Sequence, residues 1–476
     1  ASVGVASVGV ASVGVASVAV ASVAASVIDR LRDTLGAKVL TDPAETEPFS
    51  HDRSHHPWQL ADVVVRCTST RDVAEVLRIC SDTNTPVVPF GTGTGLEGGA
   101  NLSRGCVCLD VSGMNRIVRL DPDSLDVTVE AGVKRSELNP VLAGHGLFFP
   151  VGPGVDASIG GMAATGASGT NAVYYGTMRE SVLGLTVVLA DGTVLNTGGR
   201  ARKSAAGYDL THLFVGSEGT LGVITEITLR VYGIPPSTVL MVSTFGDLAA
   251  AARVVQRALG GGIQLARAEL LDDIMVGAID DFSGLALDRA PTLLLEFIGG
   301  PASVAEDAER VRAFAADEGS LSFTLVDSAP ERERIWQARH DALPAAAALK
   351  DGAQTWSTDV CVPISRLADC IGQTKADLDA SSVLAPIAGH VGDGNFHLAF
   401  VLHPDDAAGF AEAQRINGRL VERAVTMGGT CTGEHGIGIG KTDDLLREHP
   451  TGVPLMRILK GALDPLGIMN PGKVLQ

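Results

Sequence analysis

Pro89-Phe90-Gly91-Thr92-Gly93-Thr94-Gly95-Leu96-Glu97-Gly98-Gly99 follows the short apolar run Val87-Val88 and places five glycines in the nine residues from 91 to 99. Without a Cβ, successive glycines let neighbouring backbone N–H groups turn toward one anion, and the hydroxyls of Thr92 and Thr94 add donors. A diphosphate is the natural guest. The stretch is not a Walker loop, because no Gly-Lys-Ser/Thr follows, and not a nicotinamide fingerprint, because no helix pattern opens at its third glycine. Taken alone, it also fits a glycine-rich turn that holds nothing.

Two further stretches weaken that bland reading. Pro150-Val151-Gly152-Pro153-Gly154 runs on to Ser158-Ile159-Gly160-Gly161-Met162-Ala163-Ala164-Thr165-Gly166-Ala167-Ser168-Gly169, with Asn171 just beyond. Small residues throughout allow close backbone approach to a flat, extended molecule, and Ser158 and Asn171 supply polar contacts. The third stretch is Gly216-Ser217-Glu218-Gly219-Thr220-Leu221-Gly222-Val223-Ile224-Thr225. Three such regions suit a cofactor longer than a mononucleotide.

The rest of the chain bounds the reading. At 476 residues it is too long for one ordinary core, so several domains are expected. A formal charge of -18 argues against nucleic-acid binding, which needs a basic surface; acidity of this kind mostly keeps a protein soluble, and it also suits a basic redox partner. The seven cysteines are scattered, with Cys106 and Cys108 nearest to each other and no CxxC, which reads as free thiols in a reducing compartment. Residues 1–28 are a low-complexity segment that repeats Ala-Ser-Val-Gly-Val and has no charge before Asp29. It lacks both the basic flank of a secretory signal and the arginines of a mitochondrial presequence.

Hydrophobic spacing predicts a helix ending at Gly36, a strand over 62–66, a helix over 70–82 capped by Ser69 or Thr70, and a strand over 87–90. Short strands follow over 107–111, 117–120, 126–130 and 185–189. Pro235-Pro236 and a fresh alternating run from Thr238 mark a domain boundary. Beyond it come helices over 247–259, 303–318 and 367–378, with strands near 268–271 and over 292–298, 356–362 and 383–389. The expected layout is residues 29–235 as a cofactor domain, 236–455 as a substrate domain, and 456–476 as a turn-rich closing segment.

The second half carries a different chemistry. Gly389-His390-Val391-Gly392-Asp393-Gly394-Asn395-Phe396-His397 is answered by Thr432-Gly433-Glu434-His435-Gly436. The imidazoles and carboxylate are a compact donor supply for one divalent metal, and two histidines with one glutamate leave coordination positions open. On its own this cluster also fits a zinc hydrolase. Asp393 and Asn395 read as shaping the turn between the histidines. Arg339 is the candidate for gripping a substrate carboxylate, since a guanidinium does so with two parallel hydrogen bonds.

Together with Leu183-Gly184-Leu185-Thr186-Val187-Val188-Leu189-Ala190-Asp191-Gly192, the glycine stretches resemble the FAD-binding domain of the vanillyl-alcohol oxidase / p-cresol methylhydroxylase (PCMH) type. The histidine cluster, Cys431-Thr432-Gly433-Glu434-His435-Gly436 and Met469-Asn470-Pro471-Gly472-Lys473 resemble the C-terminal half of FAD-linked D-2-hydroxyacid dehydrogenases. Ala338-Arg339-His340-Asp341 and the stretch from Ser357 to Leu367 are most similar to the cytochrome-type D-lactate dehydrogenases. The resemblance runs from about residue 30 to the end with its motifs in order. It implies an α+β fold: a PCMH-type FAD-binding domain, then an α+β substrate or cap domain of the FAD-linked oxidase C-terminal type, with the last residues returning to the FAD domain.

By the same resemblance FAD is held non-covalently, since residues 91–99 contain no histidine. The cofactor-binding residues so implied are Gly91, Thr92, Gly93, Thr94 and Gly95 for the diphosphate. Gly152, Pro153, Gly154, Ser158, Gly160, Gly161, Thr165, Ser168 and Asn171 follow, then Glu218, Gly219, Gly222, Val223 and Ile224. Asn470 is implied to approach the flavin, though a helix-stop role is as easily imagined. His390, His397 and Glu434 are implied as metal ligands, for zinc first with manganese or iron as alternatives, and His435 as the base.

The implied activity is metal-assisted oxidation of a D-2-hydroxy acid, D-lactate before others, to the 2-oxo acid pyruvate. Hydride passes to flavin N5, and electrons go on to cytochrome c, a quinone or electron-transfer flavoprotein. A glycolate oxidase FAD subunit and a D-2-hydroxyglutarate dehydrogenase are the near alternatives. The 2-hydroxyglutarate enzymes carry a lysine near Ser357 and an asparagine at the place of Ala399, and Leu343-Pro344 stands where they have a polar contact. An unpaired buried carboxylate is costly, so a dicarboxylic substrate is disfavoured. A cytoplasmic or membrane-peripheral location, mitochondrial in a eukaryote, and a homodimer are compatible with this reading.

Overall fold

The computed structural model describes residues 22–475; most of the N-terminal repeat, residues 1–21, lies outside them. Strands Val39–Leu40, Val63–Arg66, Val107–Asp110 and Val87–Phe90 form the first sheet in that spatial order. Val63–Arg66 and Val87–Phe90 each pair parallel with Val107–Asp110, which is inserted between them. Helix Thr70–Asp82 makes the crossover. The Ser69 hydroxyl caps it by accepting from the Asp72 N–H, and Val73, Val76, Leu77 and Cys80 bury one face at helical spacing. Each valine or leucine so buried stabilises the fold by about 1.5–3 kcal/mol.

A second, antiparallel sheet runs Ile117–Asp121, Asp126–Glu130, Val223–Arg230, Val182–Val188, Val194–Gly198. The loop 91–99 leaves the end of Val87–Phe90 in the first sheet, and the loop 216–222 leads into Val223–Arg230 in the second. The stretch after Pro150 is not wholly extended, because helix Ile159–Thr165 forms inside it, capped by the Ser158 hydroxyl accepting from Gly161 N–H. That helix lies so close to the sheet that a Cβ on Gly160 would sit 2.5 Å from the Cβ of Ala131.

The second half is one antiparallel sheet in the order Ser322–Val326, Ser237–Thr244, Thr292–Gly299, Leu265–Leu271, Ile387–His390, Asn395–Leu402, Gln354–Ser357, with Val360–Cys361 paired to the start of Asn395–Leu402. Alternate residues face opposite sides. Leu293, Leu295 and Phe297 pack under helices Leu248–Gly260, Pro301–Asp317, Ile364–Asp379 and Ala407–Thr426, while Leu294 faces Asp273–Ser283, Ala329–His340 and Ala342–Ala347.

Two sequence expectations need correction here. The single strand over 356–362 is broken at Thr358-Asp359, because those residues turn to serve the neighbouring loops. The strand over 383–389 contracts to Ile387–His390.

The last helix, Gly452–Leu463, is followed by a stretch that pairs with the exposed edge of the first sheet. Val87 N–H donates to Ile468 O, and Asn470 N–H donates to Val87 O. This edge pairing carries the end of the chain back to the glycine loops. All seven cysteines are free. No helix among the described residues is long and apolar enough to cross a membrane.

Candidate functional site

A cavity of about 1070 Å³ lies between the two halves. One wall is made by residues 91–95, Gly152, Pro153, Gly154, Gly160, Gly161, Thr165, Ser168, Glu218, Gly219, Gly222, Val223, Ile224 and Asn470. The facing wall carries Arg339, His390, His397, Glu434 and His435, with Ser357 and Ala399 beside them. The tertiary structure therefore brings the glycine stretches and the histidine cluster to one space. Ser158 and Asn171 stand behind this wall. Ser158 caps its helix, while Asn171 donates to Pro150 O and accepts from Arg267 Nε.

His390 ends strand Ile387–His390, and His397 lies on the paired strand Asn395–Leu402, so the hairpin between them turns both rings to the cavity. His397 Nδ1 donates to Thr358 O at 2.9 Å. A carbonyl only accepts, so Nδ1 carries a hydrogen, and Nε2 is the ring nitrogen left facing the cavity. That Nε2 is buried, lies 3.3 Å from Glu434 Oε1 and has no hydrogen-bond partner. His390 donates from Nδ1 to Glu269 Oε1 at 2.5 Å, and its Nε2 is 3.2 Å from Glu434 Oε1. The second oxygen of Glu434 is buried without a partner.

Burial alone would discharge His390, but Glu269 and Glu434 outweigh it and push its pKa up to about 10. Burial likewise opposes the charge on Glu434, and His390 and His397 hold its carboxyl well below the usual range. Ligand atoms of His390, His397 and Glu434 all fall within 4.8 Å of one another. Two imidazoles and a carboxylate converging with orphaned buried atoms fit a divalent cation.

Asp359, His397 and His435 form a second group of the same compactness, but its carboxylate is already committed. Asp359 Oδ2 accepts from Thr432 Oγ1 and from the N–H groups of Gly433, Glu434 and His435 at 2.7–2.9 Å, and Oδ1 accepts from Asn395 Nδ2 at 2.6 Å. Asp359 is thus the anion around which the Glu434–His435 loop is wrapped. Lys441 steadies the assembly, donating to Asp359 O and Cys431 O and lying 3.3 Å from Glu97 Oε1.

The His435 ring stacks on His397 with centroids 5.0 Å apart, and its Nδ1 is buried without a partner. Burial lowers its pKa against the pull of Asp359, so the imidazole is neutral at neutral pH and able to accept a proton. Arg339 ends helix Ala329–His340 with its side chain only 11% exposed, so it is not a solvated surface charge. Its Nε and Nη2 hold Glu269 Oε2 at 2.9 and 2.7 Å.

Glu218 faces the cavity, yet both its oxygens are occupied by the N–H groups of Ile437 and Gly438, so it clamps one half to the other. Burial raises its pKa to about 7 despite those bonds. Asn470 sits seven residues after the end of helix Gly452–Leu463 with φ 43°, which overturns the helix-stop alternative. Its Nδ2 donates to Gly99 O and Glu218 O, tying the glycine loops to the end of the chain.

Sequence reading missed Glu269, Asp359, Lys441 and Glu97. The one signal for Glu269 was a carboxylate inside the apolar run Leu265-Ala266-Arg267-Ala268-Glu269-Leu270-Leu271. Asp359 lay within a stretch that carried the family likeness but suggested no role.

A parallel–antiparallel pair of sheets bearing glycine loops, facing an antiparallel sheet that carries the histidine cluster, defines an FAD-binding flavoprotein of the PCMH type. The chain matches the FAD linked oxidases, C-terminal domain, over residues 234–474 and the FAD binding domain over residues 61–198. It belongs to the family of FAD-linked oxidases.

Among its relatives is a protein of Danio rerio named probable D-lactate dehydrogenase, mitochondrial, 49% identical over 94% of this chain and 92% of its own length. Another, from Arabidopsis thaliana, is named D-lactate dehydrogenase [cytochrome], mitochondrial; it is 43% identical over 94% of this chain and 80% of its own length. The solved structure of 4-ethylphenol oxidase from Gulosibacter chungangensis superposes with a TM-score of 0.78 over 95% of this chain and 98% of that one, at 19% identity, and so supports the fold alone.

Proposed function

We propose that this protein oxidises D-lactate, or a D-2-hydroxy acid with a small apolar side chain, to the 2-oxo acid. The observation that carries the reading is the convergence of the partnerless Nε2 of His397 and the partnerless Oε2 of Glu434 beside His390, on the cavity wall facing the glycine loops. The activity printed in the relatives' names supports it.

FAD bound along the glycine loops would supply the hydride acceptor, and a divalent cation, which His390, His397 and Glu434 would hold, would supply Lewis acidity. The protein's residues do the rest. Arg339 grips the substrate carboxylate, and His435, neutral and buried, takes the hydroxyl proton. The cavity lining includes Met275, Leu343, Ala347, Ala353, Ala388 and Ala399, and among the described residues no lysine lines it. Electrons then leave for cytochrome c, a quinone or electron-transfer flavoprotein, and the relatives' names support a mitochondrial setting if the host is a eukaryote.

An anaerobic titration of the FAD- and metal-loaded protein tests this. D-Lactate should bleach the yellow flavin while L-lactate does not. Faster bleaching by glycolate would favour the glycolate-oxidising relatives, and a protein that stays yellow with every D-2-hydroxy acid would refute the reading.

A further inference from the structure

Glu269 lies on strand Leu265–Leu271, directly opposite His390 on the neighbouring strand, and its side chain is fully buried. Arg339 reaches the same carboxylate from the last turn of helix Ala329–His340. One oxygen takes the Nδ1 hydrogen of His390, and the other takes the Nε hydrogen of Arg339, whose Nη2 lies 2.7 Å from the same oxygen in an ion pair. Both contacts have chemical consequences. A carboxylate only accepts, so His390 must keep its hydrogen on Nδ1 and leave Nε2 toward Glu434. A guanidinium whose Nε–Nη2 edge is occupied can grip a second carboxylate only through its Nη1–Nη2 end.

We propose that Glu269 is the positioning residue of this centre: one buried carboxylate selects which edge of Arg339 faces the substrate and which nitrogen of His390 faces the metal. This rests on the reading of the site given above. Substrate gripping and metal holding are therefore coupled through a residue that touches neither ligand. A glutamine of the same shape cannot keep both contacts as they are. With its oxygen on Arg339, its NH₂ faces His390 Nδ1 and pairs only with the tautomer that carries the hydrogen on Nε2, the nitrogen that would face the metal.

The test uses Glu269→Gln and Glu269→Asp in the FAD-loaded protein, beside His390→Ala and Arg339→Lys. Metal affinity is read by equilibrium dialysis with Zn²⁺ and Mn²⁺. Substrate binding is read from the flavin absorbance change with oxalate and from KM against kcat for D-lactate, and folding from the melting temperature.

Glu269→Gln should weaken metal binding by about 10–100-fold, as loss of the group that orients a ligating histidine does. It should also raise KM and weaken oxalate binding. His390→Ala should move metal affinity chiefly, and Arg339→Lys chiefly KM. Glu269→Asp, one methylene short, reaches only one partner and should shift one property more than the other.

If His390→Ala and Arg339→Lys show their losses while folded Glu269→Gln and Glu269→Asp keep native metal affinity and KM, the positioning role is wrong. A drop in melting temperature alone in the Glu269 variants overturns that role equally. If His390→Ala and Arg339→Lys themselves change neither property, the reading of the site fails instead.

Discussion

Replacing Asp359 by asparagine isolates the electrostatics of the loop that carries Glu434 and His435. Asp359 Oδ2 holds four donors at 2.7–2.9 Å and Oδ1 holds Asn395 Nδ2. An asparagine can present its oxygen to the four donors only by turning its NH₂ against the NH₂ of Asn395. It also removes the negative charge 3.8 Å from the buried ammonium of Lys441. Hydrogen bonds to a charged group are worth about 1.5–3 kcal/mol each, but four that share one oxygen are not additive. Removing one partner of a buried charged pair costs about 3–5 kcal/mol, and this sets the scale.

For a domain of this size, a loss of about 3 kcal/mol lowers Tm by roughly 6–12 °C. The functional loss should be larger than the thermal one suggests, because a displacement of about 1 Å in a catalytic group costs on the order of 100-fold in rate. Thermal melting, equilibrium dialysis of Zn²⁺ and stopped-flow flavin reduction by D-lactate measure the three effects. If Asp359→Asn holds metal and is reduced as fast as wild type, Asp359 is not the anion that shapes this loop.

Further outcomes follow from the same geometry. His435→Asn should slow flavin reduction by about 10²–10⁴-fold, the usual worth of a general base, while FAD content and metal affinity stay native; an unchanged single-turnover rate would remove His435 from the chemistry. Burial raises the Asp272 pKa to about 7 although its carboxylate caps helix Asp273–Ser283. The folded state then holds a proton that the unfolded chain releases near its ordinary, lower pKa, so stability falls as pH rises from that value to about 7 and the penalty stays complete above it. Asp272→Asn keeps the cap and should raise Tm at pH 8 more than at pH 5; equal shifts would contradict the assignment. Ala399→Leu, on the apolar wall, should lower kcat/KM for long aliphatic D-2-hydroxy acids more than for D-lactate by about 10-fold or more. Equal losses for both would mean that side chains do not reach Ala399.

Much of the framework is local and therefore readable along the chain. Ser69 followed by the apolar spacing of Val73, Val76, Leu77 and Cys80 marks a capped amphipathic helix within one short stretch of chain. The break in the strand over 356–362 was not readable, because Thr358 and Asp359 look like ordinary strand residues until His397, Asn395 and the loop 432–435 arrive to use them. Glu269 was hidden for the same reason. Its partners Arg339 and His390 lie 70 and 121 residues away, and nothing in its own neighbours announces them.

Sequence alone determined the family, the flavin, the α+β class and the compact set of candidate metal donors, since glycines and histidines clustered within a few residues carry their meaning with them. The resemblance already implied that the two chemistries serve one reaction, and the tertiary structure shows the cavity whose walls they form. Tertiary structure alone decided that Ser158 and Asn171 stand behind the wall while Glu218 clamps the loop after His435, that Asp359 holds the loop 432–435, and that Glu269 joins Arg339 to His390. The physical reason is burial. A charged group removed from water must find its partners in space, and those partners are chosen by sheet register and domain packing rather than by adjacency in the chain.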